Sequence, residues 1–110
     1  MPARDDYFMR MIQQVAATLR RLREKLEGGA PNDEILREAN TAIGVLLGTQ
    51  RAMLEMLDSK SAAALVGDPD KLDLWVALLK LQSEVAEPAK AERLIARANA
   101  LAAGAPKSVD

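Results

Sequence analysis

Hydrophobic side chains recur every three or four residues through the first quarter of the chain, which predicts one long helix over 5–27. This near-heptad spacing is typical of a helix packed along a single seam. The stripe consists of Phe8, Ile12, Val15, Leu19, Leu22 and Leu26. Asp5 or Asp6 can cap the start of the helix, and Gly28-Gly29 can end it.

A second helix is predicted after a short turn in which Pro31 stands at the first helical position. Its broad apolar face ends before Gly48 and consists of Ile35, Leu36, Ala39, Ala42, Ile43, Leu46 and Leu47. The sequence pattern predicts one or two short helices over 49–66, with Met53 and Met56 in the core and Ser59 able to cap the second.

The densest apolar run, Leu72 to Leu81, predicts a helix that other helices surround, since only Asp73 and Lys80 are polar within it. Asp68 and Pro69 give this helix a clear start, as N-cap and first residue. The last helix follows Pro88. Its inward stripe is predicted to consist of Ala91, Leu94, Ile95, Ala98 and Leu101, with Glu92, Arg93 and Arg97 outside.

These patterns together predict an all-α fold of antiparallel helical hairpins, with about five to six helices and a long N-terminal helix. We expect one domain over 1–110, ordered from about 4 to 103 and followed by a flexible tail over 104–110. Aromatic residues are few, and the Ala, Leu, Met and charged residues that dominate the chain favour helices over strands.

The residue inventory argues against an enzyme. The chain has neither histidine nor cysteine, which removes the commonest general base and the usual ligands of a zinc site. We therefore predict no catalytic residue, no metal and no cofactor. Two alternatives remain open. Glu34 and Glu38 share a helical face and could form an acid/base pair, and Asp68, Asp70 and Asp73 could bind calcium or magnesium, although helix capping explains the aspartates without an ion.

A basic cluster ends the first helix at Arg20, Arg21, Arg23 and Lys25. The favoured interpretation is a solvated face with ion pairs from Arg20 to Glu24 and from Arg23 to Glu27. The alternative is a weak site for nucleic acid or an acidic partner. Nucleic-acid binding is disfavoured because residues 1–30 carry six basic and four acidic residues and the net charge of the chain is −1.

We expect the chain to act as a protein-binding scaffold, most simply as a homodimer. The apolar stripe and the additional residues Tyr7, Met9 and Met11 give the first helix more apolar surface than one neighbour needs to cover. The expected dimer seam contains Phe8, Ile12, Val15 and Leu19. The protein partner beyond a second copy is not identified by the sequence.

The last hairpin resembles one tetratricopeptide unit. That repeat carries Trp-x2-Leu-Gly-x2-Tyr followed by Ala-x3-Phe, and the matching residues here are Trp75, Leu78, Ala91, Ile95 and Ala98. The resemblance implies that Trp75, Leu78 and Ile95 fill the space between repeats while the alanines allow close approach. Leu79 and Gln82 replace the glycine and tyrosine of the repeat.

The run Asp6-Tyr7-Phe8-Met9-Arg10-Met11-Ile12-Gln13-Gln14 resembles the opening of a family of small bacterial proteins of unknown function that continue through tetratricopeptide-like helices. This resemblance implies a bacterial cytoplasmic setting and supplies no activity or catalytic residue. The sequence also predicts no membrane association, because no apolar run approaches the roughly 20 residues of a spanning helix.

Overall fold

The chain folds into helices joined by short connections, as described for residues 3–105 by a computed structural model, with side chains described from Asp6 onward. Within that range there are six α-helices and no strand, which confirms the all-α prediction. They are α1 (Ala3–Glu27), α2 (Asn32–Leu47), α3 (Arg51–Met56), α4 (Ser59–Val66), α5 (Pro69–Val85) and α6 (Pro88–Ala103). A single 3-10 turn, Gly48–Gln50, links α2 to α3.

Helix α1 begins earlier than predicted, at Ala3, so Asp6 lies inside the helix and not at its cap; the side chain of Asp5 lies outside the described part. The apolar stripe faces the protein interior as expected, with Leu22 fully buried. Gly29 has a φ of +83°, and its N–H donates to the carbonyl of Leu26. Glycine adopts this left-handed conformation without strain, so the helix ends where the sequence predicted.

Helix α2 runs antiparallel to α1 and starts one residue after Pro31, whose carbonyl accepts from the N–H groups of Glu34 and Ile35. Gly48 follows the helix with a φ of +60°, as its predicted terminator. The side chain of Arg51 folds back over Gly44 and donates from Nη1 to the carbonyl of Asn40 at 3.0 Å. This contact explains a small residue at position 44.

The segment between the two hairpins forms two short helices. Asp58, and not the predicted Ser59, caps α4 by accepting from the N–H of Ser61 at 3.0 Å. The prediction that Met53 and Met56 belong to the core was wrong, since both are exposed and the buried positions are Leu54, Ala62 and Ala63.

Helix α5 occupies the centre of the molecule, as its apolar run predicted. It packs against α1 and α2 on one side and against α6 on another, and it buries Trp75, Leu78 and Leu81. Asp68 caps it by accepting from the N–H of Lys71 at 2.9 Å, with Pro69 as first residue. Each hairpin, α1–α2 and α5–α6, therefore contributes one face to a shared core.

The last residues that the structure describes, Gly104 and Ala105, lie beside α4. Gly104 approaches the Cα of Lys60, where an added Cβ would lie 3.1 Å away, and Ala105 is half-buried against the core. The rest of the tail predicted over 104–110 lies outside the described residues. Among residues 3–105, no helix combines the length and apolar character needed to cross a bilayer.

Candidate functional site

A groove runs along the outer side of the first hairpin, between α1 and α2. Two adjoining depressions of about 180 Å³ and 250 Å³ form it, and they share Gln14 and Val45. We call this feature the α1–α2 groove. Helix α1 contributes Tyr7, Arg10, Met11, Gln14, Val15, Thr18 and Arg21, and helix α2 contributes Glu38, Thr41, Ala42 and Val45.

The helical period explains why these residues share one surface. On α1 the lining positions recur every three or four residues, with Arg10–Met11 and Gln14–Val15 as adjacent pairs, which places them on one flank at the edge of the buried stripe. The same spacing relates Glu38, Thr41, Ala42 and Val45 on α2. Tyr7 is 77 % exposed and Val45 is 46 % exposed, although both side chains are apolar over most of their surface. The groove thus presents apolar surface to solvent between two rigid helices.

Lys25 lies beyond one end of the groove, one turn after Arg21, and binds two carboxylates from α2. Its Nζ donates to Oε2 of Glu34 at 2.8 Å and to Oε2 of Glu38 at 2.7 Å. These hydrogen bonds raise the pKa of Lys25, and the bond from Lys25 lowers the pKa of Glu38. Arg21 Nη2 lies 3.6 Å from the other oxygen of Glu38. Lys25 and Glu38 therefore favour their charged forms, and the cluster joins α1 to α2.

This cluster changes the interpretation of the carboxylates that the sequence offered as an acid/base pair. Glu34 and Glu38 do lie together, but each is bonded to a lysine ammonium group and each is only half-buried. A pair of catalytic carboxylates usually has environments that move their pKa values apart, with one held protonated near neutral pH. Here the lysine favours the ionised form of Glu38, which fits a structural ion pair.

The basic cluster is divided among different partners. Arg23 Nη1 lies 4.0 Å from Glu84 Oε2 of α5, while Lys25 and Arg21 contact α2 and Arg20 is exposed. The predicted pairs from Arg20 to Glu24 and from Arg23 to Glu27 were wrong: between residues 6 and 105 the ion pairs of this cluster join different helices. Neighbouring helices bring carboxylates closer than the next turn of α1 does.

The residues expected at a dimer seam lie largely inside the chain's own core. Ile12 is 9 % exposed and Val15 is 2 % exposed, and Phe8 and Leu19 are half-buried against the same core. Ile12 and Val15 therefore cannot form a seam with a second copy without leaving the core. The apolar stripe was correctly identified, but its neighbours are helices of the same chain.

The residues of the tetratricopeptide resemblance are only partly packed as that repeat implies. Trp75, Leu78 and Ala98 are buried, and Ala91 is half-buried. Ile95 is 44 % exposed, so its expected role between repeats was wrong. Helix α6 is rotated so that Leu94, Arg97, Ala98 and Leu101 face inward.

Arg97 is the residue that sequence reasoning misplaced most clearly. Its Nη1 donates to the carbonyl of Leu57 and to Oγ of Ser59, both at 2.9 Å, and its Nη2 donates to the carbonyl of Leu54 at 2.9 Å. The guanidinium carbon also lies 5.5 Å from the centroid of the Trp75 ring. Its position three residues after Leu94 could have indicated that Arg97 lies on the inward face of α6.

Of the three aspartates at the start of α5, Asp68 caps the helix, and Asp70 and Asp73 are exposed. No group of three acidic side chains suited to a metal ion occurs within the part of the chain that the structure describes.

Comparisons of the chain with protein-family models, with curated proteins and with solved structures gave no match. The α1–α2 groove, with its exposed apolar lining and the charged cluster beyond one end, is the candidate functional site.

Proposed function

We propose that this protein is a non-catalytic helical scaffold that binds another protein chain through the α1–α2 groove. The observation that carries this proposal is the exposed apolar lining, above all Tyr7 and Val45, on two helices held together by Lys25. Aromatic and aliphatic side chains in a preformed depression are the usual anchors of protein contacts. The bacterial cytoplasmic setting implied by the N-terminal resemblance is part of the same proposal.

An enzymatic role has less support. The side chains considered for acid/base chemistry, Glu34 and Glu38, are bonded to Lys25, and the groove between α1 and α2 is lined mainly by apolar and amide or hydroxyl groups. Catalysis by general acids and bases requires groups positioned to exchange protons with a substrate. The ion pairs of Lys25 with Glu34 and Glu38 instead hold α1 against α2.

Self-association is the second candidate function. Met9 is exposed on the flank of α1 opposite to Tyr7, so a second copy could contact α1 without displacing its buried stripe. Binding of nucleic acid or of an acidic partner through the basic cluster alone, Arg20, Arg21, Arg23 and Lys25, has less support, because Lys25 and Arg23 form ion pairs within the chain. Arg21 also lies 3.6 Å from Glu38, but 57 % of its side chain stays exposed.

Affinity capture with paired variants tests the scaffold function. The full chain, Val45→Asp and Met56→Asp are used as baits in the same bacterial extract. We expect at least one protein to be retained by the full chain and by Met56→Asp, and lost from Val45→Asp. Met56 is a matched control because it is 88 % exposed and lies outside the groove.

Sedimentation velocity of the full chain at high micromolar concentration tests self-association. A dimer that Val45→Asp or a substitution at Met9 dissociates would support it. A monomer, combined with the same captured proteins for all three baits, would contradict both forms of the proposal.

A further inference from the structure

The first hairpin has two sides, and within residues 3–105 only one of them is covered by another helix. Helix α5 lies across both α1 and α2 on the inner side, where it forms the core. The α1–α2 groove on the outer side has the same two helices as walls, and Val45 and Met11 line it. A second helix could therefore pack on the outside in the manner that α5 packs on the inside.

The shape of the groove selects a helix over other peptide conformations. From Tyr7 to Arg21 the groove follows 15 residues of α1, a rise of about 21 Å. An extended peptide is normally held by the free edge of a sheet, and no strand exists in residues 3–105. Proline-rich peptides need grooves lined by several aromatic rings, whereas Tyr7 is the aromatic residue here. An amphipathic helix satisfies its own backbone and needs only apolar contact.

The charges around the groove favour an acidic occupant. Glu38, the glutamate that lines the α2 wall, and Glu34, one turn earlier on α2, are both bonded to Lys25. Arg10 lines the opposite end and forms no ion pair within 4.0 Å among residues 6–105, and Arg21 is held only at 3.6 Å. Asp6, one turn before Arg10, is exposed beyond the lining residues. The guanidinium groups are thus the charges presented to an occupant.

From these observations we propose that the α1–α2 groove binds an acidic amphipathic helix of a partner protein. Leucine-like side chains of that helix contact Met11, Ala42 and Val45, and its flanking carboxylates lie near Arg10 and Arg21. This inference rests on the proposed scaffold function and specifies its partner. A second copy docked groove to groove would bring its own arginines to the same surface, and like charges at close range oppose association.

Two synthetic peptides of about 18 residues, long enough to form a helix on binding, test the inference. Both carry leucine at positions i, i+3, i+4 and i+7, and one has glutamate on the flanks where the other has lysine. Fluorescence anisotropy of each labelled peptide is measured with the full chain and its variants. We expect the glutamate peptide to bind at least about tenfold more tightly than the lysine peptide at low salt, with a smaller difference at high salt.

The variants separate apolar contact from charge. Val45→Asp should weaken binding of the glutamate peptide about tenfold or more, because it places a carboxylate in the apolar floor. The double variant Arg10→Glu, Arg21→Glu should reverse the preference between the two peptides. Met56→Asp should leave both affinities unchanged, and circular dichroism checks that every variant is folded.

The possible results distinguish this inference from the function on which it rests. Equal binding of the two peptides, still dependent on Val45, would overturn the acidic partner and leave the scaffold function standing. A dimer in sedimentation that Val45→Asp dissociates, with no peptide bound, would also overturn the inference and identify a second copy as the occupant. No peptide binding, no dimer and no Val45-dependent captured protein would overturn both.

Discussion

Replacement of Arg97 by alanine should destabilise the protein far more than its predicted surface position suggests. The guanidinium group donates to the carbonyls of Leu54 and Leu57 and to the hydroxyl of Ser59, and it lies over the ring of Trp75. It therefore joins α6 to the end of α3 and to the start of α4. The substitution therefore removes these hydrogen bonds and the cation–π contact with Trp75 at the same time.

The expected loss in the free energy of unfolding follows from the contacts of the Arg97 side chain. A hydrogen bond from a charged donor contributes about 1.5 to 3 kcal/mol, and a partly buried cation–π contact contributes about 1 kcal/mol. These terms are not additive because they share one side chain. The carbonyl of Leu54 also keeps its 3.3 Å bond from the N–H of Leu57. We expect a loss of about 3 kcal/mol in the free energy of unfolding, or about 12 °C in Tm for a chain of this size.

Urea unfolding followed by Trp75 fluorescence and by far-UV circular dichroism measures this loss. Arg93→Ala is the matched control, since Arg93 is an exposed arginine one turn earlier on α6 and should change stability by less than about 0.5 kcal/mol. Arg97→Lys keeps the charge but lacks the planar fork, so it should restore only part of the stability. Equal stabilities of Arg97→Ala and Arg93→Ala would refute this reasoning.

Three further predictions concern the core, a helix cap and the ion pairs of the groove. Leu22→Ala should lower the free energy of unfolding by about 2 to 5 kcal/mol, measured by urea denaturation, because Leu22 is fully buried; a change below about 1 kcal/mol would contradict its place in the core. Asp68→Ala should cost about 1 kcal/mol through loss of the cap on Lys71 N–H, whereas Asp68→Asn should cost less, and equal effects would argue against capping. The bond from Lys25 gives Glu38 a lower pKa in the folded chain than its ordinary 4.5, so its contribution to stability is present above that pH and is lost as pH falls through the lower folded value. Unfolding of the full chain and of Glu38→Gln across this pH range should therefore differ most near neutrality and converge in acid; a difference that does not change with pH would contradict the ion pair.

Much of the fold followed from local sequence because helix ends depend on nearby residues. Gly28-Gly29, Gly48 and the pair Asp68-Pro69 each mark a boundary that the structure reproduces. The stripe of α1 was also identified, since a three-and-four spacing of apolar residues defines a buried face regardless of which partner covers it. An exposed homodimer seam did not follow from that stripe, because the spacing does not say whether the covering helix belongs to the same chain.

The errors arose where tertiary contacts decide between similar local patterns. Ile95 and Arg97 both lie near the inward face of α6, and hydrophobicity alone favoured Ile95. The rotation of α6 is set by its packing on α5 and α4, which supplies Arg97 with carbonyl partners and an aromatic ring. Likewise, Asp58 and Ser59 are adjacent capping residues, and only the backbone geometry decides which one accepts from Ser61.

The groove itself was only partly accessible to sequence reasoning. Tyr7 was recognised as apolar surface outside the buried stripe of α1, whereas Val45 was not considered. Both are apolar residues that lie outside the core-facing stripe of an amphipathic helix, and such a position in the sequence indicates exposed apolar surface. Which two such residues meet depends on the register between α1 and α2, which the contacts of Lys25 with Glu34 and Glu38 hold in place.

The most direct test of the account is a titration of the isotopically labelled full chain with the glutamate peptide, followed by amide chemical shifts. We expect saturable shifts concentrated at groove positions such as Gln14, Thr18, Thr41 and Val45, with little change at Leu65 and Ile95, which are exposed apolar residues on α4 and α6. Shifts centred on Leu65 or Ile95, or no shifts at saturating peptide, would contradict it.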